Sequence, residues 1–294
     1  MPSVISTLVK AQIILLNPIL NGMDLTAQRK LQDALMALGS RVKNNKTQAR
    51  DVQLPHCEAS WVYPLKERVS KAILYLHGGG YTAGSLAYAR GYGGMLAEET
   101  GRAALCVGYR LAPEHPFPAA LMDALAAYRL MLDRYRPEDI LFAGESAGGG
   151  LCFCLALKLK EENLPQPAGI VAISPWVDLS VSMDACLALG KDPVLSCDGI
   201  KRLADYYLDG HDAKDPLASP ICGELQGLPR SLIIAGGDEI LVPEAEEMTR
   251  KLREAGVPCR LYIEEGMWHV YPLYPVPEAK KAQAVMREFL DALP

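Results

Sequence analysis

The chain has 294 residues, half of them hydrophobic and 22% charged, with a formal net charge of −5. That length suits one large α/β domain with a substantial core rather than two equal ones. The acidic balance, without a cluster of Lys and Arg, argues against a nucleic-acid surface, and no low-complexity tract or fixed-period repeat is present.

Val4 to Leu20 is rich in Ile, Leu and Val, but no basic region precedes it, Lys10 interrupts it and Asn17-Pro18 breaks it. Its apolar core is far shorter than the roughly 20 residues of a membrane span, so no integral membrane segment is expected. It reads as an amphipathic helix lying on the protein itself, with peripheral membrane contact as the alternative. A second helix is expected over Leu25–Leu38, capped by Asp24 and ending near Gly39-Ser40. Neither belongs to a sheet, so residues 1–46 form a unit of cap helices ahead of a catalytic domain over 47–294.

Strands are expected over Asp51–Tyr63, Ala72–Leu76 and Ala103–Tyr109. Then come a helix over Ala119–Tyr135, a strand over Asp139–Ala143, a helix over Ala147–Glu161 and a strand over Gly169–Ser174. The pattern resumes with strand Ser231–Ala235, helix Pro243–Ala255, strand Arg260–Glu264 and a helix from Glu278 to Leu290. Such alternation predicts a mostly parallel central sheet flanked by helices on both faces. It fails between Ser180 and Gly227, where a helix near Gly199–Leu208 sits among turn signals. This insert over 180–227 either joins the N-terminal helices in a cap over the strand ends or is an ordinary excursion.

Eight cysteines are scattered without C-x-x-C spacing and several lie in apolar runs, so all are read as reduced. Cys152 and Cys154, two apart on one helix, face different directions and make no metal pair. No metal or cofactor is expected. With reduced thiols and no leader segment, the expected location is cytoplasmic.

The chemistry concentrates on Gly144-Glu145-Ser146-Ala147-Gly148, between a buried strand and an apolar helix. A G-x-S-x-G turn there strains the serine backbone and lifts its hydroxyl above the sheet, and the Ala147 N–H points at whatever Ser146 attacks. The alternative is a strand-to-helix turn with an idle serine. An acyl-transfer site also needs a base and an acid, in the chain order serine, acid, histidine for this kind of sheet. His269, just after the last strand, follows Ser146 and a carboxylate at a late strand end. Asp238 is the preferred acid and Glu239 the competitor, on the argument that neighbouring side chains point opposite ways if the backbone stays extended. After strand Ala72–Leu76, His77-Gly78-Gly79-Gly80 lets Gly79 and Gly80 join Ala147 as three oxyanion donors. A phosphate cradle is the alternative, against which stands the absence of G-K-[ST] and of G-x-G-x-x-G.

Three segments together, His77-Gly78-Gly79-Gly80-Tyr81, Tyr109 to Ala120 (YRLAPEHPFPAA) and Gly144-Glu145-Ser146-Ala147-Gly148-Gly149, resemble the bacterial hormone-sensitive-lipase-like esterases of the α/β-hydrolase fold. The likeness extends through Ser174 to Ser180, Asp192 to Ser196 and the Asp238 and His269 segments, covering the chain from about residue 45 to its end. It implies Ser146 as nucleophile with Asp238 and His269, oxyanion donors Gly79, Gly80 and Ala147, structural roles for His77 and His115, and a helical cap over the acyl pocket. Two departures stand out: Glu145 where members commonly carry Asp or Thr, and Val270-Tyr271 where Gly-Phe is common.

The function implied is hydrolysis of carboxylic esters of short- to medium-chain acids through an acyl-enzyme. A lactone or amide hydrolase on the same machinery is an alternative, and so is a non-catalytic ligand-binding protein of this fold, although relatives of that kind have lost the histidine that His269 supplies here. The partner expected is a small-molecule ester. Because members often pair through the last strand and last helix, the resemblance also implies a homodimer.

Overall fold

Four short apolar runs, Ala72–Leu76 (β3), Ile140–Glu145 (β5), Gly169–Ile173 (β6) and Ser231–Gly236 (β7), are buried over their whole length, as strands covered on both faces must be. The computed structural model describes residues 2–21, 23–27, 29–31, 46–65, 69–180, 186 and 192–293. Its sheet is completed by Thr47–Gln53 (β1), Glu58–Pro64 (β2), Ala103–Gly108 (β4) and Cys259–Glu264 (β8). The eight strands run in the order β1-β2-β4-β3-β5-β6-β7-β8. Only the pairings of β2 with β1 and β4 are antiparallel; β4, β3 and β5 to β8 are parallel. The expected mostly parallel sheet is present.

Alternation along each strand sends side chains to two cores. Leu74, Leu76 and Phe142 join Leu121 and Tyr128 of helix α3 (Ala119–Leu132), Phe153 of α4 (Ala147–Glu161) and Leu252 of α6 (Val242–Glu254). On the opposite face Ile73 and Tyr75 meet Tyr92 and Leu96 of α2 (Leu86–Thr100) and Met286 and Leu290 of α7 (Pro277–Asp291). The catalytic candidates all leave the strands at their C-terminal ends, where a parallel sheet collects its loops.

Two elements differ from expectation. The strand expected over Asp51–Tyr63 is a hairpin of β1 and β2, closed where the Leu54 N–H donates to the Cys57 carbonyl at 2.9 Å across a turn holding Pro55, a residue with no N–H for a ladder. Helix α2 has no counterpart in the expected elements, and its Gly91, Gly93 and Gly94 are residues of low helix propensity. Packing overrides that propensity: a Cβ at Gly93 would fall 2.3 Å from the Cys106 sulfur of β4, so the glycine lets the helix approach the sheet. Ser85 caps the start, accepting from the Tyr88 N–H at 3.2 Å, and Gly101 ends the helix at φ 66°.

The N-terminal helix α1 (Val4–Asn21) lies on the protein. Ser3 and Ser6 donate to Glu278 of α7, Lys10 pairs with Asp238, and the Asn17 side chain donates to the Pro193 and Val194 carbonyls at 2.9 and 3.0 Å. Its outer side carries exposed Val4, Leu8 and Leu15. Among the described residues no helix is long and apolar enough to cross a membrane. Asp24 caps the next turn, accepting from the Ala27 N–H at 2.9 Å; the end expected near Gly39-Ser40 lies outside the described residues.

The cysteine expectation is corrected at one pair. Cys186 and Cys197 are joined by a disulfide, with Cα atoms 5.9 Å apart, within the ordinary span of such a bridge. Their spacing matches no motif, and Cys197 stands at the start of α5 (Cys197–Leu208). Of the other six, only Cys222 is exposed.

Candidate active site

Ser146 sits at the apex of the turn between β5 and α4 at φ 53°, ψ −123°, a conformation rarely adopted by a residue with a side chain. The turn is held by the Ser146 N–H donating to the Ile173 carbonyl at 2.8 Å and by the Trp176 and Gly150 N–H groups donating to the Ser146 carbonyl at 3.0 and 3.1 Å. Both flanking glycines are sterically required. A Cβ at Gly144 would lie 2.5 Å from the Gly148 carbonyl oxygen, and one at Gly148 would lie 2.1 Å from that of Leu76.

His269 follows β8 and is 3% exposed. Its Nε2 lies 2.9 Å from Ser146 Oγ, and its Nδ1 lies 3.0 Å from Glu239 Oε2. In the tautomer protonated at Nδ1 the ring donates to Glu239 and accepts the serine proton. The next residue is pinned by the Val270 N–H donating to Ser174 Oγ at 3.0 Å.

The carboxylate beside His269 is Glu239 and not Asp238, the one preferred from the sequence. Asp238 faces away from His269 and pairs with Lys10 of α1, while Glu239 is buried beside the ring. The extended backbone assumed in preferring Asp238 does not occur. The chain turns after β7, with the Asp238 N–H donating to the Met267 carbonyl at 2.8 Å and the Glu239 N–H to the Gly236 carbonyl at 3.3 Å. That turn rolls Glu239 toward the histidine and Asp238 outward.

The glycine loop after β3 lies against the nucleophile turn. Gly79 and Gly80 have φ 110° and 60°, and a Cβ at Gly79 would meet the Ala83 carbonyl oxygen at 2.2 Å, so the loop takes a path open only to glycine. His77 is buried, with Nδ1 2.7 Å from the Gly78 carbonyl and its ring stacked on Tyr109 at 4.1 Å. His115 is exposed.

Sequence reasoning missed how the insert and the N-terminal segment reach this loop. Leu203 of α5 lies where a Cβ on Gly80 would come within 2.6 Å, and Tyr207 of the same helix stacks on Tyr81 at 3.8 Å. Arg29 donates to the Thr82 and Ala112 carbonyls at 2.6 and 2.8 Å and to both oxygens of Glu114. That bidentate pairing holds the Glu114 carboxyl down to about 2. Only the burial pattern of the segments themselves could have hinted at such contacts.

A family described as alpha/beta hydrolase fold matches residues 73–273. The chain is 39% identical over 243 residues to an acetyl-hydrolase of Streptomyces hygroscopicus, covering 81% of each protein. It is 34% identical to an esterase of the bacterial hormone-sensitive lipase family of known structure, with a TM-score of 0.88 and 96% of each chain covered. The chain belongs to that family. It is also similar to EstE5 in a crystal soaked with p-nitrophenyl butyrate, at 37% identity and a TM-score of 0.85 over 94% of this chain and 96% of that one. This member of the hormone-sensitive-lipase-like esterases is thus a serine hydrolase of carboxylic esters with the α/β-hydrolase fold.

Proposed function

We propose that this esterase cleaves short- to medium-chain acyl esters with Ser146 as nucleophile, His269 as base and then acid, Glu239 as the orienting carboxylate, and Gly79, Gly80 and Ala147 as oxyanion donors. The observation that carries the reading is the continuous line from Glu239 Oε2 through His269 to Ser146 Oγ, at 3.0 and 2.9 Å. As Ser146 Oγ attacks the ester carbonyl, its proton passes to His269 Nε2, and Glu239 stabilises the imidazolium without taking the proton. The tetrahedral oxyanion is held by backbone N–H groups at the start of α4 and in the glycine loop, positioned before the charge develops. Collapse expels the alcohol, which takes the proton from Nε2. A water activated by the same nitrogen then releases the acid and frees Ser146.

The acyl limit is assigned to a cap to which α1, Arg29 and α5 contribute. It is supported by Leu203 and Tyr207 covering Gly80 and Tyr81 and by the Arg29 clamp. β8 ends the sheet beside α7, and that edge is where a second copy would pair.

The test is hydrolysis of p-nitrophenyl esters across an acyl-length series, with a lactone and an anilide as controls. The reading expects the largest kcat/KM on acyl chains of medium length or shorter; faster turnover of the lactone overturns it. Leu203→Ala is expected to raise the ratio of kcat/KM for octanoate over butanoate by roughly threefold to tenfold, since each methylene newly accommodated contributes about 0.8 kcal/mol. An unchanged ratio removes Leu203 from the acyl limit.

A further inference from the structure

A buried carboxylate lies directly behind the nucleophile. Glu145 ends β5 and is 1% exposed. Its Oε1 accepts from the Gly78 N–H at 2.6 Å and from the Tyr88 hydroxyl of α2 at 3.1 Å, and its Oε2 accepts from the Tyr75 hydroxyl of β3 at 2.6 Å. Three elements thus converge on one side chain. The ionised group can receive all three donors, whereas a protonated carboxyl must turn one oxygen into a donor. Burial pushes this carboxyl up to about 7 against the pull of Tyr75, Gly78 and Tyr88. Around it stand Tyr75, Tyr88 and Tyr92, Tyr109 after β4, and Cys152 of α4, all pushed up by burial and so neutral near that pH. His77 lies edge-on to Tyr88 at 5.8 Å, Tyr274 also acts on Tyr88, and Glu99 and Tyr271 act on Tyr92.

The glycine loop and the nucleophile turn touch at this point. A Cβ on Gly78 would lie 3.0 Å from the Glu145 carbonyl oxygen and 3.1 Å from Ser146 Cβ. Van der Waals contact alone lets a glycine loop slide, and a donor displaced by a fraction of an ångström loses much of its value to an oxyanion.

We propose that Glu145 is a positioning residue for the oxyanion hole: its carboxylate holds the Gly78 N–H and so fixes the Gly79 and Gly80 donors against Ser146 before substrate arrives. The proposal rests on the assignment of Ser146 and the glycine loop made above. It also gives the departure from Asp or Thr at this position a physical sense, since the longer Glu side chain reaches the loop, β3 and α2 together.

The test compares wild type, Glu145→Gln and Tyr88→Phe on p-nitrophenyl butyrate, per site titrated with diethyl p-nitrophenyl phosphate, alongside the affinity of butylboronic acid as a tetrahedral mimic. Glu145→Gln presents an amide donor to groups that are themselves donors. Its kcat is expected to fall about 10- to 100-fold, short of the 10²–10³ for deleting a donor outright. KM should stay within about threefold and boronate affinity should fall in parallel with kcat. Tyr88→Phe removes a donor to the ionised form, so the Glu145 carboxyl rises further and the acid limb of kcat moves to higher pH by about half a unit or more. A kcat per titrated site within threefold of wild type, or a fall that boronate affinity does not share, overturns the proposal. If Glu145→Gln does not fold, Tyr88→Phe decides, and an unmoved acid limb overturns it. Wild type that the phosphate ester fails to label at Ser146 overturns the catalytic assignment and this proposal with it; labelled wild type beside an unaffected Glu145→Gln overturns this proposal alone.

Discussion

Ser146→Ala is expected to lower kcat on an aryl ester by on the order of 10⁶, the loss seen when a nucleophile of this kind is removed from a serine protease. The fold should survive. The side chain reaches the surface of the turn, and the turn itself is fixed by backbone bonds to Ile173, Trp176 and Gly150 together with the glycines at 144 and 148. Alanine at φ 53° is no less strained than serine, so the change in stability should stay within about 0.5 kcal/mol. His269→Ala is expected to match Ser146→Ala in kcat, and the double variant to be scarcely worse, because members of one catalytic unit are not additive. Rates at saturating substrate, with melting temperatures measured in parallel, check both statements. Turnover of Ser146→Ala within tenfold of wild type excludes it as nucleophile.

The residues proposed as nucleophile and base stand out in the sequence because each is pinned by local signals that tertiary structure cannot easily move. Ser146 stands in a turn that only glycines at 144 and 148 can close, and His269 is the single histidine after both Ser146 and a late strand-end carboxylate. The order of alternating strands and helices was legible for the same reason, since β3, β5, β6 and β7 are short, mostly apolar and buried over their whole length. What escaped was set by contacts between distant segments. Helix α2 is hidden behind glycines that serve its close approach to Cys106. The Cys186–Cys197 bridge follows no spacing motif, and the Arg29 clamp joins residues more than fifty positions apart. The choice of acid turned on one backbone turn after Gly237, which no propensity of Gly-Gly-Asp-Glu decides.

That choice gives the second large effect. Glu239→Gln is expected to leave a folded protein and slow kcat by about 10³–10⁴, or roughly 4–5.5 kcal/mol of barrier, because the amide cannot stabilise the imidazolium and can hold the ring in the wrong tautomer. Glu239 is 4% exposed and its Oε2 is the oxygen facing His269 Nδ1. Asp238→Asn is the control. Its carboxylate pairs with Lys10 and is 37% exposed, and an ion pair at that exposure contributes under about 1 kcal/mol. Its kcat is therefore expected within about threefold of wild type, with any loss showing as a slightly lower melting temperature as α1 loosens. The two variants are compared by kcat on p-nitrophenyl butyrate from pH 6 to 9. If Asp238→Asn is the crippled variant and Glu239→Gln turns over normally, then the loop after β7 takes up the extended path in the working enzyme, and the turn seen between Gly236 and Glu239 is not the catalytic arrangement.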